Sequence, residues 1–180
     1  MNITVYLGAN EGVNPKLREA TCELAQWIAD GGHTLVYGGS KTGLMGTLAT
    51  TALSRGGRVV GVEPDFFMEQ EQQLDGLTQL IVTETMAQRK DKMIELGDAF
   101  IAMPGGTGTL EEIAEVMSRV SLKQLAAPCI LYNLDGYYDH LQALLATMRE
   151  AGLSSEARQR GIFFASNLRE IADIVQGRQA

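Results

Sequence analysis

The chain has 180 residues, 45% of them hydrophobic and 21% charged, which is ordinary for one soluble globular domain over residues 1–180 with a real core. Its net charge of −7 excludes a broad nucleic-acid surface, which needs clustered Lys and Arg, but leaves room for a small phosphorylated ligand held by a few local cations. No apolar run approaches the roughly 18 residues of a membrane span, and Met1–Tyr6 reads as a strand rather than a signal peptide, so a cytoplasmic protein without a membrane partner is expected. Cys22 and Cys129 suit a reducing compartment. With His33 and His140 they show no metal-type spacing, so all four are read as structural and no metal is expected.

In chain order, Ile3–Leu7 is the first strand, ending at Gly8-Ala9-Asn10. Leu17, Ala20, Leu24, Trp27 and Ile28 recur at helical spacing until Gly31-Gly32 stops them. His33–Tyr37 is a second strand, running into Gly38-Gly39-Ser40-Lys41-Thr42-Gly43, and Leu44–Leu53 a helix. Arg58–Val62 is a third strand before Pro64, and residues 65–77 are polar and ambiguous. There follow a short strand Leu80–Val82, a helix Thr85–Leu96, a strand Ala99–Ala102 and a helix Thr109–Leu122. Pro128–Tyr132 is a strand, Tyr137–Arg149 a helix, Ile162–Phe164 a weak strand and Leu168–Val175 the last helix. Alternating strands and helices imply a parallel sheet covered on both faces, with ligands at the carboxyl ends of the strands. The turns at Gly8, at Gly38-Gly39 and at Gly105-Gly106 all follow strands, so all three point to that edge.

Gly38-Gly39-Ser40-Lys41-Thr42-Gly43 fits neither a P-loop, for which Lys41 comes too early, nor a dinucleotide fingerprint, for which Tyr37 stands where an acidic residue belongs. NAD is therefore not expected. Met103–Glu112 is different: a glycine-rich turn between a buried strand and a helix offers bare N–H groups to an anion, and two carboxylates follow directly. Glu112 has a structural reading too, since Thr109-Leu110-Glu111-Glu112 fits a capping box with Thr109 as N-cap. On local pattern the two readings stand level. The helix upstream tips them: Met86, Ala87, Met93, Ile94 and Leu96 share one arc, with Gln88, Asp91, Lys92 and Glu95 opposite. Arg89 and Lys90 lie inside the apolar arc. One such cation is explained by snorkelling; two adjacent ones near the ligand edge point to an anion site.

Pro104-Gly105-Gly106-Thr107-Gly108-Thr109-Leu110-Glu111-Glu112 resembles the P-G-G-x-G-T-x-x-E signature of the LOG ("Lonely Guy") proteins, and Met86-Ala87-Gln88-Arg89-Lys90 their M-x-x-R-K motif. The likeness extends to Tyr37-Gly38-Gly39, Gly43-Leu44-Met45-Gly46 and Gly57–Pro64, covering residues 3 to about 132. Ala87 stands where plant members have His, Thr107 where an aromatic is frequent, Ser40 where a third glycine is usual, and Gly8-Ala9-Asn10 in place of G-S-S or G-S-N. The resemblance implies a Rossmann-like, doubly wound sheet, a homodimer or larger homo-oligomer, and no cofactor. It also implies hydrolysis of the N-glycosidic bond of cytokinin riboside 5′-monophosphates (N6-modified AMP) to free base and ribose 5-phosphate. The catalytic pair carried over is Arg89 and Glu112. The nucleotide contacts are Glu71, Lys90, Gly106, Thr107, Gly108, Thr109, Leu110, Glu111 and Ser118, joined by Met86 and Gly105 in the two motifs and by Asn10 and Ser40 in the other turns.

Such cleavage passes through an oxocarbenium-like sugar. Glu112 is assigned to that cation and the attacking water, the turn and the Thr109 hydroxyl to the 5′-phosphate, Arg89 to orientation or base departure, and Lys90 to added charge. Three alternatives stay open: a nucleosidase of broader substrate range, a molybdenum-cofactor carrier of similar fold that hydrolyses nothing, and, weakest, a pyridoxal-dependent lysine decarboxylase, for which no lysine has suitable surroundings.

Overall fold

The computed structural model describes residues 1–68 and 73–178; Glu71, expected at the nucleotide, lies outside them. The elements are β1 (Asn2–Tyr6), α1 (Pro15–Asp30), β2 (Thr34–Tyr37), α2 (Gly43–Ser54), β3 (Arg58–Pro64), α3 (Asp65–Met68), β4 (Gln79–Thr83) and α4 (Met86–Leu96). After these come β5 (Ala99–Ala102), α5 (Thr107–Ser121), β6 (Cys129–Tyr132), α6 (Asp139–Glu150), α7 (Glu156–Gln159), β7 (Ile162–Ala165) and α8 (Leu168–Val175). The seven strands form one sheet in the order β4-β3-β2-β1-β5-β6-β7, every pair parallel. Among the described residues no helix is long and apolar enough to cross a membrane.

The near-continuous apolar strands reflect burial on both faces. In β1, Ile3 and Val5 pack with Leu17, Leu24 and Ile28 of α1, Leu44 and Leu48 of α2, and Ile171 of α8. Tyr6, alternating to the other face, packs with Met93 and Ile94 of α4 and Ile113, Val116 and Val120 of α5. Thr4 is also fully buried there, and its hydroxyl donates to the Met93 carbonyl at 3.1 Å, tying α4 down across the sheet.

The order of the strands positions the site. From β1 the chain steps outward to β4, then returns through α4 to lay β5 on the other side of β1. Strand order therefore reverses between β1 and β5, where open parallel sheets place their ligands. Because all strands are parallel, the three glycine-bearing turns leave the same edge, as expected.

Several boundaries differ from the pattern reading. α5 begins at Thr107 with Gly106 as N-cap, so Thr109 lies inside the helix. α6 begins at Asp139, because Asn133 turns the chain beforehand: its Oδ1 accepts from the Tyr138 N–H at 2.6 Å and its Nδ2 donates to Asp139 Oδ1 at 2.7 Å. The ambiguous 65–77 stretch supplies α3 and an isolated antiparallel bridge between Gln73 and Ser40. The weak strand near Ile162 is a full partner of β6. The unpredicted α7 is started by Ser155, whose hydroxyl accepts from the Arg158 N–H.

Candidate active site

The turn after β5 is held from behind and open in front. Met103 N–H donates to the Tyr6 carbonyl at 3.0 Å, and the Tyr137 hydroxyl donates to the Gly105 carbonyl. Ahead of this anchor, Gly106, Thr107 and Gly108 are exposed, and a Cβ at Gly106 or Gly108 would meet nothing within 4 Å. Gly106 caps α5 without any side-chain bond, so the opening N–H groups of a fifteen-residue helix face outward, with the positive end of its dipole behind them. Thr109 is 3% exposed and packs over Gly105, where a Cβ would come within 2.3 Å of its Oγ1.

Glu112 sits one further turn along α5 and is buried. Its Oε1 accepts from Arg89 Nη1 at 2.7 Å. The capping-box reading of Thr109 and Glu112 is therefore corrected: the helix starts two residues earlier, and the carboxylate turns inward to Arg89 rather than back to its own N-terminus. Arg89 arrives from the first turn of α4, whose start is set by Thr85, with Oγ1 accepting from the Gln88 N–H at 3.1 Å. Arg89 is itself buried, and its Nε donates to the Val62 carbonyl at 3.0 Å. A Cβ at Gly38 would stand 2.2 Å from Arg89 Nη2, so only glycine there admits the guanidinium.

Lys90, the second cation on that arc, is mostly covered and paired. Its Nζ is 2.6 Å from Glu111 Oε1 and 3.4 Å from Glu115 Oε2, and the Glu111 contact pushes its proton affinity up. Arg119 closes the polar surface by bridging Asp91 and Glu115. Burial raises the Glu112 pKa above the ordinary carboxylate range, and Arg89 opposes that rise.

The fold thus brings together Arg89, Glu112, Lys90, Glu111 and the turn Gly105–Thr109. Met86 and Leu110, 38% and 44% exposed, lie on the outer faces of α4 and α5, and Ser118 is exposed further along α5. Met86 and Ala87 had been expected on the buried arc of α4, which is instead formed by Arg89, Met93 and Ile94. Asn10 borders a cavity of about 390 Å³ that also takes in Gly8, Leu17, Leu134, Tyr137 and, from the turn after β5, Gly105 and Gly106. Ser40 is buried, its hydroxyl 2.8 Å from that of Thr42. Two buried groups near the pair escaped the pattern reading, Glu63 and Tyr6; the one sequence signal was a carboxylate ending an otherwise apolar strand.

Fold and site together define a Rossmann-like α/β protein with a buried Arg–carboxylate pair whose carboxylate stands on a helix with no side-chain cap at its N-terminus. A family profile described as "possible lysine decarboxylase" matches residues 45–175. The cytokinin riboside 5′-monophosphate phosphoribohydrolase of Rhodococcoides fascians is 40% identical over 168 residues, 93% of this chain and 85% of its own. The enzyme of the same name, LOG7, from Arabidopsis thaliana is 38% identical, covering 94% and 78%. The chain belongs to this family, the LOG phosphoribohydrolases. Among solved structures, the molybdenum cofactor carrier protein of Chlamydomonas reinhardtii shares the fold at a TM-score of 0.75 and 21% identity, over 98% of this chain and 96% of its own. The molybdenum cofactor binding protein of Rippkaea orientalis does so at 0.72 and 26%, with the same coverage.

Proposed function

We propose that the protein hydrolyses the N-glycosidic bond of nucleoside 5′-monophosphates, cytokinin riboside monophosphates and AMP among them, releasing free base and ribose 5-phosphate. The observation that carries this is the 2.7 Å Arg89–Glu112 pair, buried next to the uncapped N-terminus of α5. The 5′-phosphate docks on the N–H groups of Gly106, Thr107 and Gly108, where helix dipole and open backbone favour an anion. Holding that end fixes the ribose against Glu112, and positioning is a large part of the rate gain such a site provides.

As the bond from C1′ to the base nitrogen lengthens, positive charge grows on the sugar. The Glu112 carboxylate stabilises that charge and takes the proton of the water that attacks C1′. Arg89 holds Glu112 in one orientation and faces the substrate with its remaining donors; always charged, it positions rather than donates a proton. Lys90 acts with Glu111 as a neutralised pair at the rim, Glu111 being the partner for a ribose hydroxyl. The exposed Met86 and Leu110 beside the site support a homodimer or larger homo-oligomer, and the free thiols of Cys22 and Cys129 suit a reducing cytoplasm.

The rival is a carrier that binds a phosphorylated cofactor without cleaving it, favoured by the names of the structural neighbours. A release assay over AMP, isopentenyl-AMP, the free riboside and other monophosphates separates the two. Free base and ribose 5-phosphate from the monophosphates support hydrolysis. Binding without release supports the carrier, and release from the riboside alone removes the role given to the turn.

A further inference from the structure

A buried carboxyl that none of these roles uses lies on the other side of Arg89. Glu63, the penultimate residue of β3, follows Val62, the residue whose carbonyl accepts from Arg89 Nε. It is 1% exposed, and among the described residues its Oε2 has no hydrogen-bond partner. An acceptor buried in this way is costly, and native proteins rarely leave one without a purpose. The two glycines that follow β2 each lie against one of these groups, the guanidinium or the carboxyl. A Cβ at Gly38 would press on Arg89 Nη2, while one at Gly39 would stand 2.9 Å from Glu63 Cβ and 3.1 Å from its Oε2. Gly39 has φ +88°, and the Tyr37 hydroxyl pins its carbonyl at 2.9 Å. One guanidinium therefore lies among two buried carboxyl groups, and only Glu112 is hydrogen-bonded to it.

We propose that Glu63 is a positioning residue for the hydrolysis: a second counter-charge on Arg89 that keeps Glu112 basic enough to take the proton of the attacking water. The inference rests on Glu112 being that base. Burial raises the proton affinity of the Glu63 carboxyl and Arg89 opposes that rise; with both carboxyls ionised, the cluster holds two negative charges and one positive. The water oxygen bonds to C1′, its proton passes to Glu112, and the electron pair of the breaking bond leaves with the base, which is protonated by solvent. What remains is neutral Glu112 with Arg89 and Glu63 balancing each other. Without Glu63 the same proton transfer would strand a buried cation, which is unfavourable, so Glu112 would hold its proton less tightly. Glu63 faces Arg89 from α4 and Tyr37 from β2. Glu112 faces Arg89 and Lys90 from α4, Glu111 on its own helix and Tyr6 from β1.

The test follows Glu112 by carbon NMR in protein labelled at the glutamate carboxyls, its signal assigned by loss in Glu112→Gln, alongside the pH profile of kcat on AMP. In Glu63→Gln, Glu112 should titrate at lower pH than in wild type. The acid limb of kcat should move the same way, kcat at neutral pH should fall roughly tenfold, and KM should stay within about twofold. Glu63→Met, which also removes the orphaned Oε2, should do the same and serves if the glutamine variant is unstable; Glu63→Asp should restore most of the wild-type titration. An unchanged Glu112 titration in a folded neutral variant overturns the inference. If wild type releases no base from any monophosphate while the Glu112 titration still shifts, it is the proposed hydrolysis that fails, and the charge coupling stands.

Discussion

In the turn after β5, Gly106 and Gly108 face open space although Gly105 behind them is pressed against Thr109, whereas Gly38 and Gly39 in the turn after β2, and Gly43 and Gly46 in the helix α2 that it opens, are each pressed against a neighbour. A Cβ at Gly38 would meet Arg89, and one at Gly39 would meet Glu63. At Gly43 it would lie 1.4 Å from the Ala9 carbonyl oxygen, and at Gly46 2.0 Å from that of Lys41. The sequences look alike, and both turns leave the same edge of the sheet. One leaves its backbone open; in the other, protein fills the space. A glycine-rich turn after a strand thus has two physical uses: it can leave backbone N–H groups open, or it can make room for side chains such as those of Arg89 and Glu63.

The largest difference should come from the pair that the closed turn places. Glu112→Gln should lower kcat at least about 10²-fold while the melting temperature stays near wild type, checked by the release assay and thermal denaturation. The wild-type acid limb should follow the same group. Activity needs the ionised carboxylate, burial raises its pKa, and so kcat should fall as pH drops through a midpoint above the ordinary glutamate range. Arg89→Ala should stay folded and inactive.

Next, Gly43→Ala should cost on the order of 3 kcal/mol or prevent folding, because φ is +52° and a backbone oxygen occupies the Cβ position; urea titration reads this directly. Gly38→Ala should fold but lose roughly tenfold or more in kcat, as the guanidinium is displaced from Glu112. Its acid limb should move to higher pH, since losing the cation leaves burial unopposed. Smallest in its effect on kcat, Gly108→Ala should stabilise the free protein by about 0.5–1 kcal/mol, replacing glycine in the first turn of α5 without a clash, while its cost to activity should appear in KM, because a methyl group enters the space proposed for the phosphate. If Gly108→Ala were as damaging to kcat as Gly38→Ala, the division between an open and a closed turn would be wrong.

Much of this architecture could be read from short-range pattern. Apolar strand runs alternating with amphipathic helices specified a parallel sheet, and Val59-Val60 or Ile130-Leu131 showed strands buried on both faces. Arg89 could be found because a charge on an apolar arc conflicts with its own helix, and a local conflict is visible locally. The start of α5 was misplaced because Thr109 and Glu112 satisfy a capping pattern whose rival, a glycine cap with no side-chain bond, leaves no mark in the sequence. Lys90 looked free for phosphate, since the carboxylates that pair with it are 21 residues on for Glu111 and further for Glu115.

What the sequence determined by itself was the sheet class, the edge where its turns gather, the open glycine turn and the two motifs that resemble the LOG family. Each depends on residues within a few positions of one another, where periodicity and backbone conformation act. The tertiary structure alone decided that Glu112 is a partner of Arg89 rather than a helix cap, that Gly38 and Gly39 make room for the Arg89 and Glu63 side chains, and that Glu63 is buried beside them. Those contacts join β2, β3, α4 and α5 across a strand order that reverses at β1. Electrostatic coupling between buried groups depends on their separation in space and on the water excluded between them, and spacing along the chain encodes neither.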